Sequence, residues 1–188
     1  MRNKYFLLRH GEVQKEEGII YDWPSISTFP LTKRGKEQIA KVAQKLKNQK
    51  IDLIYSSDSL RTRQTAEIIM EELGLKVNFD SRLRDINLGV YWGRKEKEFY
   101  RDFPPTLERF YKKRPKEGEN WTGLKKRMLR AIKEIDKKHK GKTILIISHG
   151  DPLWLLEGAM KSWSNRELLN QKLKGKLIKI GELRELRI

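Results

Sequence analysis

Thr143-Ile144-Leu145-Ile146-Ile147 runs into Ser148-His149-Gly150-Asp151, and Tyr5-Phe6-Leu7-Leu8 runs into Arg9-His10-Gly11-Glu12. Both are short apolar runs that stop at a polar dipeptide before glycine. Such runs read as buried strands that deliver a side chain to the carboxyl edge of a sheet. Open α/β sheets bind their ligands at that edge. Two imidazoles raised there, one beside an arginine, make a device for handling an anion.

The elements between the two runs alternate as a parallel sheet with covering helices requires. Thr32 caps a helix whose inward face is Ile39, Val42, Ala43 and Leu46, at i, i+3, i+4, i+7. Ile51–Tyr55 reads as a second strand, and Ser56 to Asp58 offer caps for a helix carrying Ala66, Ile69 and Leu73. Gly74 ends that helix before a third strand over Lys76–Phe79. A long helix presents Leu124, Met128, Ala131 and Ile135, and another opens with Asp151 as cap and Pro152 in its first turn. The predicted fold is α/β, a three-layer sandwich with a mostly parallel central sheet flanked by helices. Leu177 to Leu186 supplies a terminal strand or hairpin.

Between Arg84 and Trp121 the periodicity loosens. Pro104-Pro105 and Arg114-Pro115 cut the stretch into short helical pieces rich in rings, Tyr91, Trp92, Phe99, Phe103 and Tyr111 among them. It reads as a lid insertion of about residues 84–121 within a single domain of residues 1–188. Its rings either shape a pocket for a bulky leaving group or pack the lid's own small core. Its basic residues, including Arg94, Lys112 and Arg114, either favour polyphosphorylated substrates or solvate the surface.

With 188 residues the chain suits one domain, and the absence of cysteine excludes disulfides and thiolate metal sites. No leader and no run of about 18 apolar residues is present, so a cytoplasmic protein without membrane attachment is expected. The charge of +17 raises the prior on polyanionic partners. Lysine and arginine are nevertheless interleaved with glutamate, as over Lys33–Lys50. That pattern fits a solvated surface of the kind thermophiles build from ion-pair networks better than a nucleic-acid interface. The open sheet edge and apolar tail leave room for a homodimer.

Arg61 is the third signal. It falls in the first turn of a helix, where a positive side chain opposes the macrodipole unless an anion occupies the helix N-terminus. Arg9, His10, Arg61 and His149 thus converge on one sheet edge as an anion cage, with phosphoryl the fitting guest. Any one of them alone is ordinary: a histidine plug at a strand end, or an arginine pointing outward. Four at one edge are not. His139, inside Lys137-Lys138-His139-Lys140, ends a helix where positive charge is favourable and calls for no functional account.

Arg9-His10-Gly11-Glu12, Pro30-Leu31-Thr32 with Gly35, Ser57-Asp58 through Arg61 to Gln64-Thr65-Ala66-Glu67, and Ser148-His149-Gly150 together resemble the histidine phosphatase superfamily, the phosphoglycerate mutase-like group. The resemblance runs from about Phe6 to Leu156. It implies a phosphoglycerate mutase-like fold and a metal-independent phosphomonoester hydrolase without a cofactor, acting through a phosphohistidine on His10. Arg9, Arg61 and His149 would then bind the phosphate of a phosphorylated small molecule or phosphoprotein. The family's general acid, usually glutamate, corresponds to Asp85 in Leu83-Arg84-Asp85-Ile86-Asn87-Leu88-Gly89, unless Asp85 simply pairs with Arg82 or Arg84. After Arg-His-Gly-Glu the family commonly has threonine and then asparagine; this chain has Val13 and Glu16, the latter expected to turn outward or pair with Lys15. Glu12 is the other candidate for the acid, but is expected rather to orient the loop. Two alternatives stand beside hydrolysis: a mutase-type phosphotransferase needing a bisphosphorylated activator, and a non-catalytic module binding phosphate or nucleic acid. A histidine metal site lacks a third ligand and has arginine where the cation would sit.

Overall fold

The computed structural model describes residues 2–111 and 113–186. The side chain of Tyr111 and the whole of Lys112 lie outside the described residues. Five strands, β1 (Lys4–Arg9), β2 (Leu53–Ser56), β3 (Val77–Phe79), β4 (Thr143–Ser148) and β5 (Leu183–Leu186), form one sheet in the order β3-β2-β4-β1-β5. All neighbours are parallel except β5, which runs antiparallel to β1. This is the expected α/β sandwich; the terminal segment contributes one edge strand.

Strand alternation divides the core in two. Phe6, Leu8, Leu145 and Ile147 face α1 (Lys33–Leu46) and α2 (Leu60–Leu73), meeting Ile39, Val42, Leu46, Ala66 and Ile69. Tyr5, Leu7, Ile144 and Ile146 face α5 (Trp121–Lys138) and α6 (Gly150–Met160), meeting Leu124, Met128, Ile135 and Trp154. Each fully buried leucine or isoleucine in these layers contributes roughly 1.5–3 kcal/mol. Together they fix the central strands β1, β4 and β2 as a rigid platform.

The register carries the strand ends to one place. Arg9 lies opposite Ser148, and Ser56 opposite Ile147. Beyond them the backbone pairing continues, with His10 N–H donating to the Ser148 carbonyl at 3.2 Å and Ser57 N–H to the Ile147 carbonyl at 3.0 Å. The loop after His10 lies flush on α1, because a Cβ at Gly35 would sit 2.1 Å from the Glu12 carbonyl oxygen.

Thr32 caps α1 as expected, its hydroxyl accepting from Gly35 N–H at 2.8 Å. Two caps differ from the sequence reading. The cap of α2 is Ser59, beyond the expected Ser56–Asp58; its hydroxyl goes to the Pro24 carbonyl, and Asp58 is taken by Arg84. The cap of α6 is His149, not Asp151, which lies in the first turn and accepts from Trp121 and Lys172. In both cases tertiary partners outbid the local side chain-to-backbone bond.

The stretch from 84 to 121 holds one 3-10 turn (Gly89–Tyr91) and the short helices α3 (Glu96–Asp102) and α4 (Glu108–Tyr111). Tyr91, Phe99 and Phe103 pack on one another with ring centroids 5.4 to 5.7 Å apart. Beyond α6, α7 (Asn165–Leu173) opens with a capping box of Ser164 and Glu167. Among the described residues no helix is long and apolar enough to cross a membrane.

Candidate active site

His10 follows β1 and is 1% exposed. Its Nδ1 lies 2.8 Å from the Gly11 carbonyl oxygen, which can only accept. The proton therefore sits on Nδ1, and Nε2 keeps its lone pair. Burial, then the charges of Arg61 and Arg9, hold the imidazole's pKa well below its ordinary value. At neutral pH the ring is uncharged, the form in which Nε2 is a nucleophile.

His149, wholly buried at the start of α6, takes the opposite tautomer. Arg61 Nε–H donates to its Nδ1 at 3.1 Å, so Nε2 carries the proton and donates to the Ser57 hydroxyl at 3.0 Å. Burial and Arg61 also keep this ring neutral. The two imidazoles stand 5.3 Å apart, centroid to centroid.

Arg61 is held at every nitrogen. Besides Nε, its Nη1 donates to Ser25 Oγ at 2.8 Å and its Nη2 lies 3.4 Å from Asp85 Oδ2. Its guanidinium stacks 4.3 Å from the centre of the Tyr21 ring. Ser25 is buried at a positive φ of 58°, a costly backbone state for a residue with a Cβ and one that clusters at functional sites. Arg63, close behind in sequence, turns away to the Asp58 carbonyl.

Asp85 faces Arg61 and His149, with Oδ2 at 3.8 Å from His149 Nδ1. The competing pairing is absent: Arg82 holds Asp80 and Glu134, and Arg84 holds Asp58. Burial raises the carboxyl's pKa, against the pull of Arg61. The backbone that presents Asp85 is clamped by Arg127 of α5, whose guanidinium donates to the carbonyls of Arg82, Arg84 and Asp85 at 2.7 to 3.0 Å.

Arg9 completes the group. Its Nη1 donates to the Ile178 carbonyl at 3.1 Å, while its buried Nε has no partner. The guanidinium lies over the N-terminus of α6, where a Cβ on Gly150 would come within 3.2 Å of its Cζ. The structure thus brings together Arg9, His10, Arg61, Asp85 and His149. Glu12 accepts from the Thr32 hydroxyl at 3.0 Å, tying the loop to the α1 cap. Glu16 is exposed and Lys15 turns instead to Glu96; Val13 forms a bridge with Leu31. His139 ends α5 and bonds the Tyr55 hydroxyl at 2.9 Å.

Sequence reasoning missed Tyr21, Ser25, Ser57 and Arg127. The first two lie in an aperiodic loop, Ser57 reads as one more hydroxyl near a cap, and Arg127 is one basic residue among many on α5. Among the described residues no group of three or more His, Cys, Asp and Glu could hold a metal ion. A small pocket opens beside Arg61 and Asp85, walled by Tyr21, Trp23, Phe99 and Tyr100.

The family model for the histidine phosphatase superfamily, branch 1, matches residues 5–180. A protein of Escherichia coli O1:K1, described as the probable phosphoglycerate mutase GpmB, is 35% identical over 172 residues, covering 87% of this chain and 78% of its own. YhfR of Bacillus stearothermophilus superposes with a TM-score of 0.76 at 30% identity, covering 88% of this chain and 83% of its own. The α-ribazole phosphatase of Shigella flexneri shares the fold, with a TM-score of 0.80, 23% identity, and 98% and 90% of the two chains covered. With its paired histidines and Arg61 at the carboxyl edge of such a sheet, the chain belongs to the histidine phosphatase superfamily, branch 1.

Proposed function

We propose that the protein is a metal-independent phosphomonoester hydrolase that works through a phosphohistidine on His10. The observation that carries this is the Nδ1–H bond of His10 to the Gly11 carbonyl, which leaves a neutral imidazole with Nε2 as its lone-pair nitrogen beside Arg61 and His149.

In the first step His10 Nε2 forms a bond to phosphorus as the bond to the leaving oxygen breaks. Asp85, protonated, gives that oxygen its proton. In the second step the Asp85 carboxylate takes a proton from water, whose oxygen attacks phosphorus and frees His10. Arg9 and Arg61 hold the phosphoryl oxygens and stabilise the charge in the transition state. His149 fixes the Arg61 fork through Nδ1 and offers its Nε2–H to a phosphoryl oxygen in place of Ser57. The segment 84–121 acts as the lid that shapes the leaving-group side, within one domain.

A second reading is phosphoryl shuttling, favoured by the name of the E. coli relative. It would require a bisphosphorylated activator to keep His10 phosphorylated.

The test is hydrolysis of p-nitrophenyl phosphate in excess EDTA by wild type and His10→Ala. Activity that survives the chelator and disappears in the variant is expected, with acid-labile phosphoenzyme trapped only in wild type. Equal turnover in both proteins, or loss on chelation, refutes the reading. Turnover only after adding a bisphosphorylated activator selects the mutase.

A further inference from the structure

The loop between β1 and α1 holds two residues in a costly backbone state beside Arg61. Ser25 has a φ of 58° and Phe29 a φ of 59°, the left-handed region that a Cβ disfavours. The other non-glycine residues at positive φ among the described residues, Lys50, Glu117 and Ser162, are exposed. Ser25 is buried and Phe29 half-buried, and each bears on Arg61. Phe29 sets its ring edge-on to Tyr21 at 5.0 Å, and Tyr21 covers the guanidinium. Ser25 meets the guanidinium directly.

The hydrogen bonds at Ser25 have one consistent direction. Arg61 Nη1 can only donate, so Ser25 Oγ accepts at 2.8 Å and its own proton goes onward. The nearer acceptor is Thr28 Oγ1 at 3.1 Å, ahead of the Thr28 carbonyl at 3.4 Å. Thr28 in turn gives its proton to Asp22 Oδ1 at 2.5 Å. Three bonds thus run the same way, from the guanidinium through two hydroxyls to a carboxylate, and each polarises the next. The main chain fastens the head of this relay to α2. Leu60 N–H donates to the Ser25 carbonyl and the Ser59 hydroxyl to the Pro24 carbonyl, both at 2.9 Å. Arg61 spends three of its five N–H groups on Ser25, Asp85 and His149, which leaves two for a ligand.

Glycine would hold the backbone at position 25 without strain, but it has no hydroxyl to offer. We propose that Ser25 and Thr28 are positioning residues: the relay that ends on Asp22 sets the Arg61 fork, before substrate arrives, in the orientation that stabilises the charge of the transition state. Thr28 acts through Ser25, and Ser25 through Arg61. The effect on turnover rests on the hydrolase reading; the effect on how Arg61 holds an anion does not.

The probes are vanadate, which takes the five-coordinate geometry of the transition state, and inorganic phosphate, which does not. Their affinities, measured by calorimetry, are compared with kcat and KM for p-nitrophenyl phosphate in wild type, Thr28→Val, Thr28→Ser, Ser25→Ala and Ser25→Gly. In Thr28→Val, which keeps the shape of the side chain and loses its hydroxyl, kcat is expected to fall about tenfold with KM changed by less than about threefold. Vanadate affinity should fall by the same factor as kcat, and phosphate affinity by less than about threefold. Thr28→Ser keeps the hydroxyl and should restore both kcat and vanadate binding to within about threefold of wild type. Ser25→Gly should melt at a higher temperature than Ser25→Ala, because it relieves the positive φ, yet be no more active. Wild-type kcat and vanadate affinity in Thr28→Val overturn the relay. Equal weakening of vanadate and phosphate overturns it too, since a loop that is merely loosened gives that result. A wild type that binds vanadate without hydrolysing the ester overturns the hydrolase reading, and the vanadate-to-phosphate ratio in the variants then decides the relay alone. A wild type that neither hydrolyses nor binds vanadate overturns both. The two Thr28 variants decide the matter even if the Ser25 variants fold poorly.

Discussion

Arg61 Nε donates to His149 Nδ1 across 88 residues of sequence, and this bond fixes both the direction of the guanidinium and the tautomer of the imidazole. It joins the first turn of α2 to the residue that caps α6. Neither group can take up its present state without the other, because a protonated Nδ1 would oppose the Nε–H.

Arg61→Lys is therefore predicted to behave nearly as badly as Arg61→Ala. The charge survives, but the three-way fork to His149, Ser25 and Asp85 does not. Either change is expected to remove roughly 2–4 kcal/mol of transition-state stabilisation, a fall of about 10²–10³ in kcat. A lysine variant within about threefold of wild type would show that geometry at Arg61 is unimportant.

The two buried histidines set a pH dependence of stability. Both have pKa values pushed below the ordinary 6.5 by burial and by arginine. In the unfolded chain they bind protons as pH falls through 6.5, while in the fold they do not. Their contribution is thus intact above that pH and is lost as pH falls toward the lowered values, at up to about 1.4 kcal/mol per pH unit for each ring. Urea denaturation between pH 5 and 8 should show this slope, and His149→Asn should reduce it if the variant folds. A flat profile would mean that the rings charge freely in the native state.

Asp85→Asn should slow substrates with poor leaving groups far more than p-nitrophenyl phosphate, whose leaving group scarcely needs a proton. Since burial raises the carboxyl's pKa, the acid form persists to higher pH than in an exposed aspartate, and activity declines as pH rises through that shifted value. The variant should lose this alkaline limb. Equal losses on both substrates would remove Asp85 from the role.

Arg127→Met tests a positioning residue. It removes the donors to three carbonyls around Asp85, and a stability loss of about 2–4 kcal/mol is expected. Because Arg127 acts through Asp85, the same leaving-group dependence should follow. A loss of stability with uniform loss of activity would reduce Arg127 to a structural brace.

Gly150→Ala should separate activity from stability. The new methyl meets only the end of the Arg9 side chain, at 3.2 Å from Cζ, so the helix is not harmed. The guanidinium must shift by some tenths of an ångström, and kcat/KM should fall with no drop in melting temperature. Unchanged kinetics would show that Arg9 need not lie where it does.

Much of this was readable from the chain. The runs ending at His10 and His149 carry the period of buried strands, and register then brings their ends together whatever the loops do. Helix starts were less readable. Ser59 and His149 hold the cap positions because Asp58 and Asp151 are drawn into ion pairs that form only in the folded state. Tyr21 and Ser25 sit in a loop without period, and Ser25 adopts a backbone state that its residue type does not announce. Arg127 is one among 42 lysines and arginines, so only its partners set it apart.

β5 and the turn before it close over the His10 loop. Gly181 N–H donates to the His10 carbonyl at 3.0 Å, Arg9 N–H to the Glu182 carbonyl at 3.3 Å, and Arg9 Nη1 to Ile178. The first strand made thus waits for the last. During synthesis a nascent chain holding everything through α6 already has both histidines and Arg61, yet lacks the contacts that Ile178, Gly181 and Glu182 make to Arg9 and His10. Competence should arrive late and abruptly, when the segment around Ile178–Leu186 leaves the ribosome, rather than growing with chain length.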